Sequence, residues 1–178
     1  QVCERLTTFA KQIPDGVDFI LGNHEYHHDV NKVLDELKHN TPMNILVNSN
    51  IQIMGGKQPV YIAGVAYDND REKEKREAMI DKALSGIPDY AFVILLAHHP
   101  EFFEEAIERK IPLTLSGHTH GGQIVFMGMP LVPTGTPYTK GRYVEEQSVC
   151  YVNNGSGHWF PIRINCPREI TVITFFDG

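Results

Sequence analysis

Residues 92–122 read FVILLAHHPEFFEEAIERKIPLTLSGHTHGG, and the succession of textures in this stretch decides the fold. A continuous apolar run, 92–97, ends in His98-His99-Pro100. A helical pattern follows near 101–109. Pro112 then precedes a second apolar run, 113–116, which ends in Gly117-His118-Thr119-His120-Gly121-Gly122. Continuous rather than alternating apolar runs belong to strands covered on both faces. Strand, polar loop, helix, strand, polar loop is α/β organisation, and open α/β sheets bind ligands beyond the carboxyl ends of their strands.

The same texture recurs upstream. Residues 17–21 form a short apolar strand that runs into Gly22-Asn23-His24-Glu25. A helix at 4–13 precedes it, with Leu6, Phe9, Ala10 and Ile13 on one side and Pro14 and Gly16 as its stop. A second helix spans 29–38, with Asp29 as N-cap and Val30, Val33, Leu34 and Leu37 on one face. Strands follow at 45–47, 50–54 and 59–67, with turns at 48–49 and 55–57. Residues 68–87 read as a helix with a highly charged opening, including an i,i+4 pair of Glu72 and Arg76. Its charges cancel, as on a solvated face.

After Gln123 the strands become short, punctuated by Pro130, Pro133, Gly135, Pro137 and Gly141. Residues 170–176, rich in Thr, Ile and Val, read as a last strand closing the sheet. One domain over residues 1–178, with two sheets, is the simplest account.

Composition excludes several classes. An apolar fraction of 42% with 21% charged residues is that of a globular protein. A net charge of -6 argues against nucleic acid, which needs a concentrated basic surface. No stretch approaches the ~18 apolar residues of a membrane span. Cys3, Cys150 and Cys166 form no CxxC pair and read as reduced thiols. No localisation follows from these features.

Three loops carry chemistry. His118 and His120 stand two apart among glycines that allow close backbone approach, and imidazoles so placed suit transition metals. A pair of polar loop histidines is the plainer alternative. His98 ends a strand and is preferred to His99, which Pro100 holds extended. Asn23 offers an uncharged oxygen ligand and His24 a proton; a simple turn explains that pair equally well. Each loop follows an apolar strand, so the three can meet on one sheet edge.

In order and spacing, Gly22-Asn23-His24-Glu25, Ala97-His98-His99-Pro100 and Gly117-His118-Thr119-His120-Gly121-Gly122 resemble the motifs of the calcineurin-like metallophosphoesterase family. Residues 113–116, 151–157 and 167–170 resemble its bacterial YkuE-like phosphodiesterase branch. The resemblance implies a four-layer α/β/β/α sandwich with two mixed sheets. It implies hydrolysis of a phosphodiester, phosphomonoester or pyrophosphate by a hydroxide bridging two metals, drawn from Mn, Fe, Zn or Ni. Asn23, His98 and His118 would ligate one metal and His120 the other. His24 would stabilise phosphate charge or protonate the leaving oxygen, with Glu25 supporting it.

The family's earlier DxH and GDxxD motifs do not occur in residues 1–178, and Asp15 and Asp18 do not replace them. The expectation is therefore a carboxyl-terminal portion of a larger family domain, lacking its leading strand–helix unit. Alone it would hold one weakly bound metal and show little hydrolysis, and an N-terminal segment would complete the site. The expected substrate is a phosphoester small molecule, with a nucleotide-linked lipid precursor as the branch's specific case and membrane contact as a corollary.

Other classes are a metal- or ligand-binding homologue without catalysis and a structural zinc protein. The glycine-rich loops disfavour the latter, since structural zinc sites are closed by four protein ligands. Ser116 and Cys150 lack a nucleophile motif. Residues 126–143 can cap the site, His158 and Trp159 can border it, and Arg163 can contact phosphate or stand in solvent.

Overall fold

The computed structural model describes residues 2–53, 58–67, 72–158 and 160–176. The turn expected at 55–57, the opening at 68–71 and Trp159 lie outside them. Four helices form: α1 (Val2–Ala10), α2 (Val30–Asn40), α3 (Lys73–Leu84) and α4 (Phe102–Glu108). Asp29 caps α2 as its side chain accepts the Asn31 and Lys32 amides.

The main sheet has six strands: β3 (Ser49–Ile53), β4 (Val60–Gly64), β5 (Phe92–Leu96), β6 (Leu113–Ser116), β9 (Gly141–Glu145) and β10 (Ser148–Val152). Their order across the sheet is β3-β4-β5-β6-β10-β9. The strands β4, β5, β6 and β10 run parallel, and the two edge strands run antiparallel to their neighbours. The class is mixed α/β. The strands β1 (Asp18–Ile20) and β2 (Asn44–Leu46) make a separate parallel pair. The strands β7 (Val125–Phe126) and β8 (Met129–Pro130) make a small hairpin.

Burial orders these pieces into layers. Ala63, Val65, Val93 and Leu95 share one core with Ile80 and Ala83 of α3 and Phe102, Phe103 and Ala106 of α4. Alternation along β4 turns Gly64 to the opposite face. There the β1–β2 pair packs so closely that a Cβ on Gly64 would lie 2.5 Å from Leu46 Cβ and 2.8 Å from Ile20 Cγ2. On the far side of that pair, α2 packs with β2 and α1 with α2. The sequence of layers is α, β, β, α, with the second sheet represented among the described residues by β1 and β2.

Two differences from the sequence expectations stand out. Residues 170–176 form no strand. Both edges of β10 are occupied by β6 and β9, and no other sheet edge among the described residues takes the segment. Ile170, Val172 and Phe176 are exposed, and Phe175 touches only the edge of Phe92 among aromatic rings. The second difference is the β9–β10 hairpin. Short, broken strands are expected there, yet β10 inserts beside β6 and buries Cys150 and Val152. Cys150 burial pushes its thiol up to about 12. No helix among the described residues is long and apolar enough to cross a membrane.

Helices α3 and α4 are tied by a buried ion pair. Arg76 donates through Nε and Nη2 to Glu105 Oε1 at 2.9 and 2.7 Å, and Glu105 is fully buried. The carboxylate holds the Arg76 guanidinium above its ordinary value. Replacing one partner strands the other charge. Arg76→Met should therefore lower unfolding free energy by about 3 kcal/mol, while Arg76→Met with Glu105→Leu should recover most of it. Urea midpoints of the two variants check this; equal losses would show that the pair does not act as a unit.

Candidate metal centre

Parallel β5 and β6 end side by side, so the residues just past them meet at one edge. Ala97 and His98 follow β5, and Gly117 and His118 follow β6, with the Gly117 amide donating to the His98 carbonyl. Past β1, buried Leu21 and Gly22 bring Asn23 to the same edge from the second sheet. Gly22 permits this approach: a Cβ there would sit 2.8 Å from the His98 ring.

Three donor atoms converge. His98 Nε2 lies 2.9 Å from Asn23 Oδ1 and 3.2 Å from His118 Nδ1. A ring nitrogen carries either a proton or a lone pair, so the tautomers decide whether His98 Nε2 donates to these neighbours or accepts from His118 Nδ1 and meets Asn23 Oδ1 lone pair to lone pair. A cation at the common point would satisfy all three. Two donors ~2.1 Å from one metal stand about 3.0 Å apart at right angles and about 3.4 Å at the tetrahedral angle, and the two spacings about His98 Nε2 lie near that range. The donor set of two imidazoles and an amide oxygen fits zinc, iron, manganese or nickel. Among the described residues no group of three His, Cys, Asp or Glu side chains gathers to hold a metal. The third donor here is Asn23, and no carboxylate lines the cleft among the described residues.

Burial drives the His98 pKa down to about 3, with the neighbouring His118, His99, His24 and His120 adding to the effect. His98 is therefore neutral at ordinary pH. The adjacent His99 turns away from the convergence point. Its Nδ1 pairs with Glu101 Oε2 at 2.6 Å and its ring stacks on His118 at 3.9 Å between centroids. Tyr67 meets His98 edge-on at 6.0 Å. Sequence reasoning named neither Glu101 nor Tyr67 as site residues; the end of parallel β4 was the available signal for Tyr67.

The centre opens into a cleft of about 480 Å³, bordered also by His24, His120, Thr119 and Val132-Pro133-Thr134. His24 is exposed at this cleft and its ring leans on His27 at 5.3 Å. Glu25 is expected to support His24. Its Oε2 instead accepts the Gly22 amide at 2.7 Å and so closes the loop that carries Asn23 and His24.

His118 and His120 both adopt left-handed backbone, with φ of 68° and 51°. Such strain in non-glycine residues costs of order 1 kcal/mol each and gathers at functional sites. The surroundings hold it. Arg163 Nη2 lies 3.3 Å from His120 Nδ1, and its guanidinium donates to the carbonyls of Asn154, Gly155 and Gly157. The Cys166 thiol donates to the His120 carbonyl at 3.1 Å. Burial first, then the Arg163 charge, lowers the His120 pKa, and the Gly157 carbonyl acts in the opposite sense. Arg163 is thus a clasp between loops rather than a solvated cation. His158 is exposed and does not border the cleft.

The chain was compared with known proteins. No family model matches it. A metallophosphoesterase of Campylobacter jejuni is 37% identical over 165 residues, covering 89% of this chain and 41% of that protein. The metallophosphoesterase YkuE of Bacillus subtilis is 39% identical over 112 residues, covering 54% of this chain and 39% of that protein. The chain spans about two fifths of the length of these relatives. Among solved structures, the Thermus thermophilus sulfate thiohydrolase SoxB, in complex with glycerol, shares the fold. Its TM-score is 0.51 at 14% identity, over 82% of this chain and 29% of that one.

The His98 environment has a consequence for stability. Unfolded, its imidazole titrates near 6.5; folded, near 3. Between those values the unfolded state takes up the extra proton, so stability falls as pH drops from 6.5 toward 3. His98→Gln should flatten this part of a urea-midpoint against pH curve, and an unchanged slope would contradict the burial.

Proposed function

We propose that this member of the calcineurin-like metallophosphoesterase family serves metal-dependent hydrolysis of a phosphoester at the cleft bordered by Asn23, His98 and His118. The observation that carries the reading is the convergence of three uncharged donors from three separate strand ends, at the family's motif positions. When bound, a transition metal supplies Lewis-acid polarisation of a phosphoryl oxygen and makes a water a stronger nucleophile at neutral pH.

The chain's own residues divide the remaining work. Asn23, His98 and His118 would hold the metal without adding negative charge, which suits an anionic substrate. His98 stays neutral through burial, so its lone pair is available across the physiological range. His24, exposed in the cleft, would stabilise phosphate charge or deliver a proton to the leaving oxygen. Glu25 positions His24 and Asn23 through the Gly22 amide. His120, steadied by Arg163 and Cys166, would serve a second metal.

A two-metal site needs carboxylates, and none lines the cleft among the described residues. In this reading they would be the carboxylates of the family's DxH and GDxxD motifs, which residues 1–178 do not contain. A second reading is a metal- or ligand-binding homologue without turnover, which holds if the protein lacks the family's DxH and GDxxD motifs. The substrate class within phosphoesters, including a nucleotide-linked lipid precursor, belongs to the proposal.

Calorimetry with Mn and Zn, paired with hydrolysis of bis-p-nitrophenyl phosphate by the intact protein, tests both readings. His118→Ala should abolish metal uptake and turnover together. His24→Ala should keep metal binding and lower kcat by ~10²–10⁴, the range of a general acid. Metal loss in His24→Ala would reverse the assigned roles. Metal binding without turnover in the intact wild type would establish the binding homologue instead.

A further inference from the structure

From residue 111 to residue 139 the chain carries no Asp, Glu, Lys or Arg, and the β7–β8 hairpin lies within that stretch. The hairpin pairs Val125 with Pro130 and Phe126 with Met129. Its two-residue turn, Met127-Gly128, has positive φ at both positions, as a tight right-twisted hairpin requires. One face is anchored. Val125 is buried, and Pro130 lies so close to Gly122 that a Cβ there would collide with it. The other face and the apex are bare: Phe126 is 61% exposed, Met127 84%, Met129 67% and Leu131 63%.

We propose that this hairpin is a docking wedge for a lipid surface, with Phe126, Met127, Met129 and Leu131 entering the boundary between headgroups and acyl chains. Three observations select lipid as the occupant. The patch is convex, with its most exposed side chain at the apex. Even fully covered, the four side chains offer roughly 500 Å², below the ~800 Å² per partner of a standard protein interface. The ladder bonds within the hairpin are already made, so only side chains await burial.

This differs from residues 170–176, another exposed apolar run. That segment has a β-prone composition and no ladder partner among the described residues, so it calls for a strand rather than a solvent. The uncharged stretch lets the wedge approach lipid without desolvating an ion, and the basic Lys140 and Arg142 follow it. The wedge is joined to the cleft. Chain continuity passes from Leu131 to Val132-Pro133-Thr134 in the cleft wall. Thr119 of the histidine loop donates to the Thr139 carbonyl, and Thr134 meets the Thr139 hydroxyl. Docking would set the cleft mouth close to the headgroups. The inference stands on the hairpin and not on the phosphoesterase reading.

Flotation of the intact protein with phosphatidylcholine vesicles, and with phosphatidylcholine–phosphatidylglycerol vesicles, tests it. Wild type should float with both and stay bound in about 1 M NaCl, where charge attraction is screened. Phe126→Glu with Met127→Glu should reduce binding at least ~10-fold, since two apolar insertions become charges. Zn uptake at the histidine centre should stay unchanged. Absence of flotation, or equal flotation of the variant, overturns the proposal. So does lipid-free sedimentation in which wild type self-associates and the variant does not, because a second copy then covers the patch. If the double variant fails to fold, Met127→Trp decides: quenching by brominated lipid beyond that of the wild-type protein supports insertion, and none refutes it.

Discussion

The structure turns on His98 Nε2, which has Asn23 Oδ1 at 2.9 Å and His118 Nδ1 at 3.2 Å, the three atoms coming from three different strand ends. Buried polar atoms packed this way are stable only with a proton or a cation between them. Everything that brings them together is a constraint on the scaffold. The parallel register of β5 and β6, with Leu96 beside Leu115, brings the His98 and Gly117-His118 loops out at the same sheet edge. The tight stacking of the β1–β2 pair at Gly64 carries the Asn23 loop over from the second sheet, and Gly22 lets that loop rest on the imidazole.

Around this point the fold spends some stability. His118 and His120 hold left-handed backbone, and His98 stays neutral in a buried setting. The compensation is local. Glu101 fixes His99, whose ring lies against His118, while Arg163 and Cys166 fasten the His120 turn to the loops at 154–157 and 165–167. An Arg suits that clasp because its planar fork reaches several carbonyls at once. The helices α3 and α4 cover the sheet from behind and are tied to each other by Arg76 and Glu105.

The two exposed apolar runs show how backbone pairing changes the meaning of exposure. In the β7–β8 hairpin the chain has satisfied its own amides, and the bare side chains form an apex. In residues 170–176 the residues that favour a strand have no ladder to join among the described residues. A β-prone composition states what a segment can pair with, not that a partner edge is present.

Much was legible in the sequence because its signals are local. The apolar runs at 92–97 and 113–116, the Asp29 cap and the motif loops at 22–25, 98–100 and 117–122 depend on neighbours a few residues away. The α/β class and the residues that gather at the cleft follow from them. Other features depend on residues distant in sequence. The insertion of β10 beside β6, the unpaired backbone of 170–176 among the described residues and the use of Arg163 as a clasp required the tertiary structure. The choice between His98 and His99 was of the same kind. Sequence names two imidazoles at a strand end; only the packing of His118, Asn23 and Glu101 around them decides which one faces the common point and which is held aside.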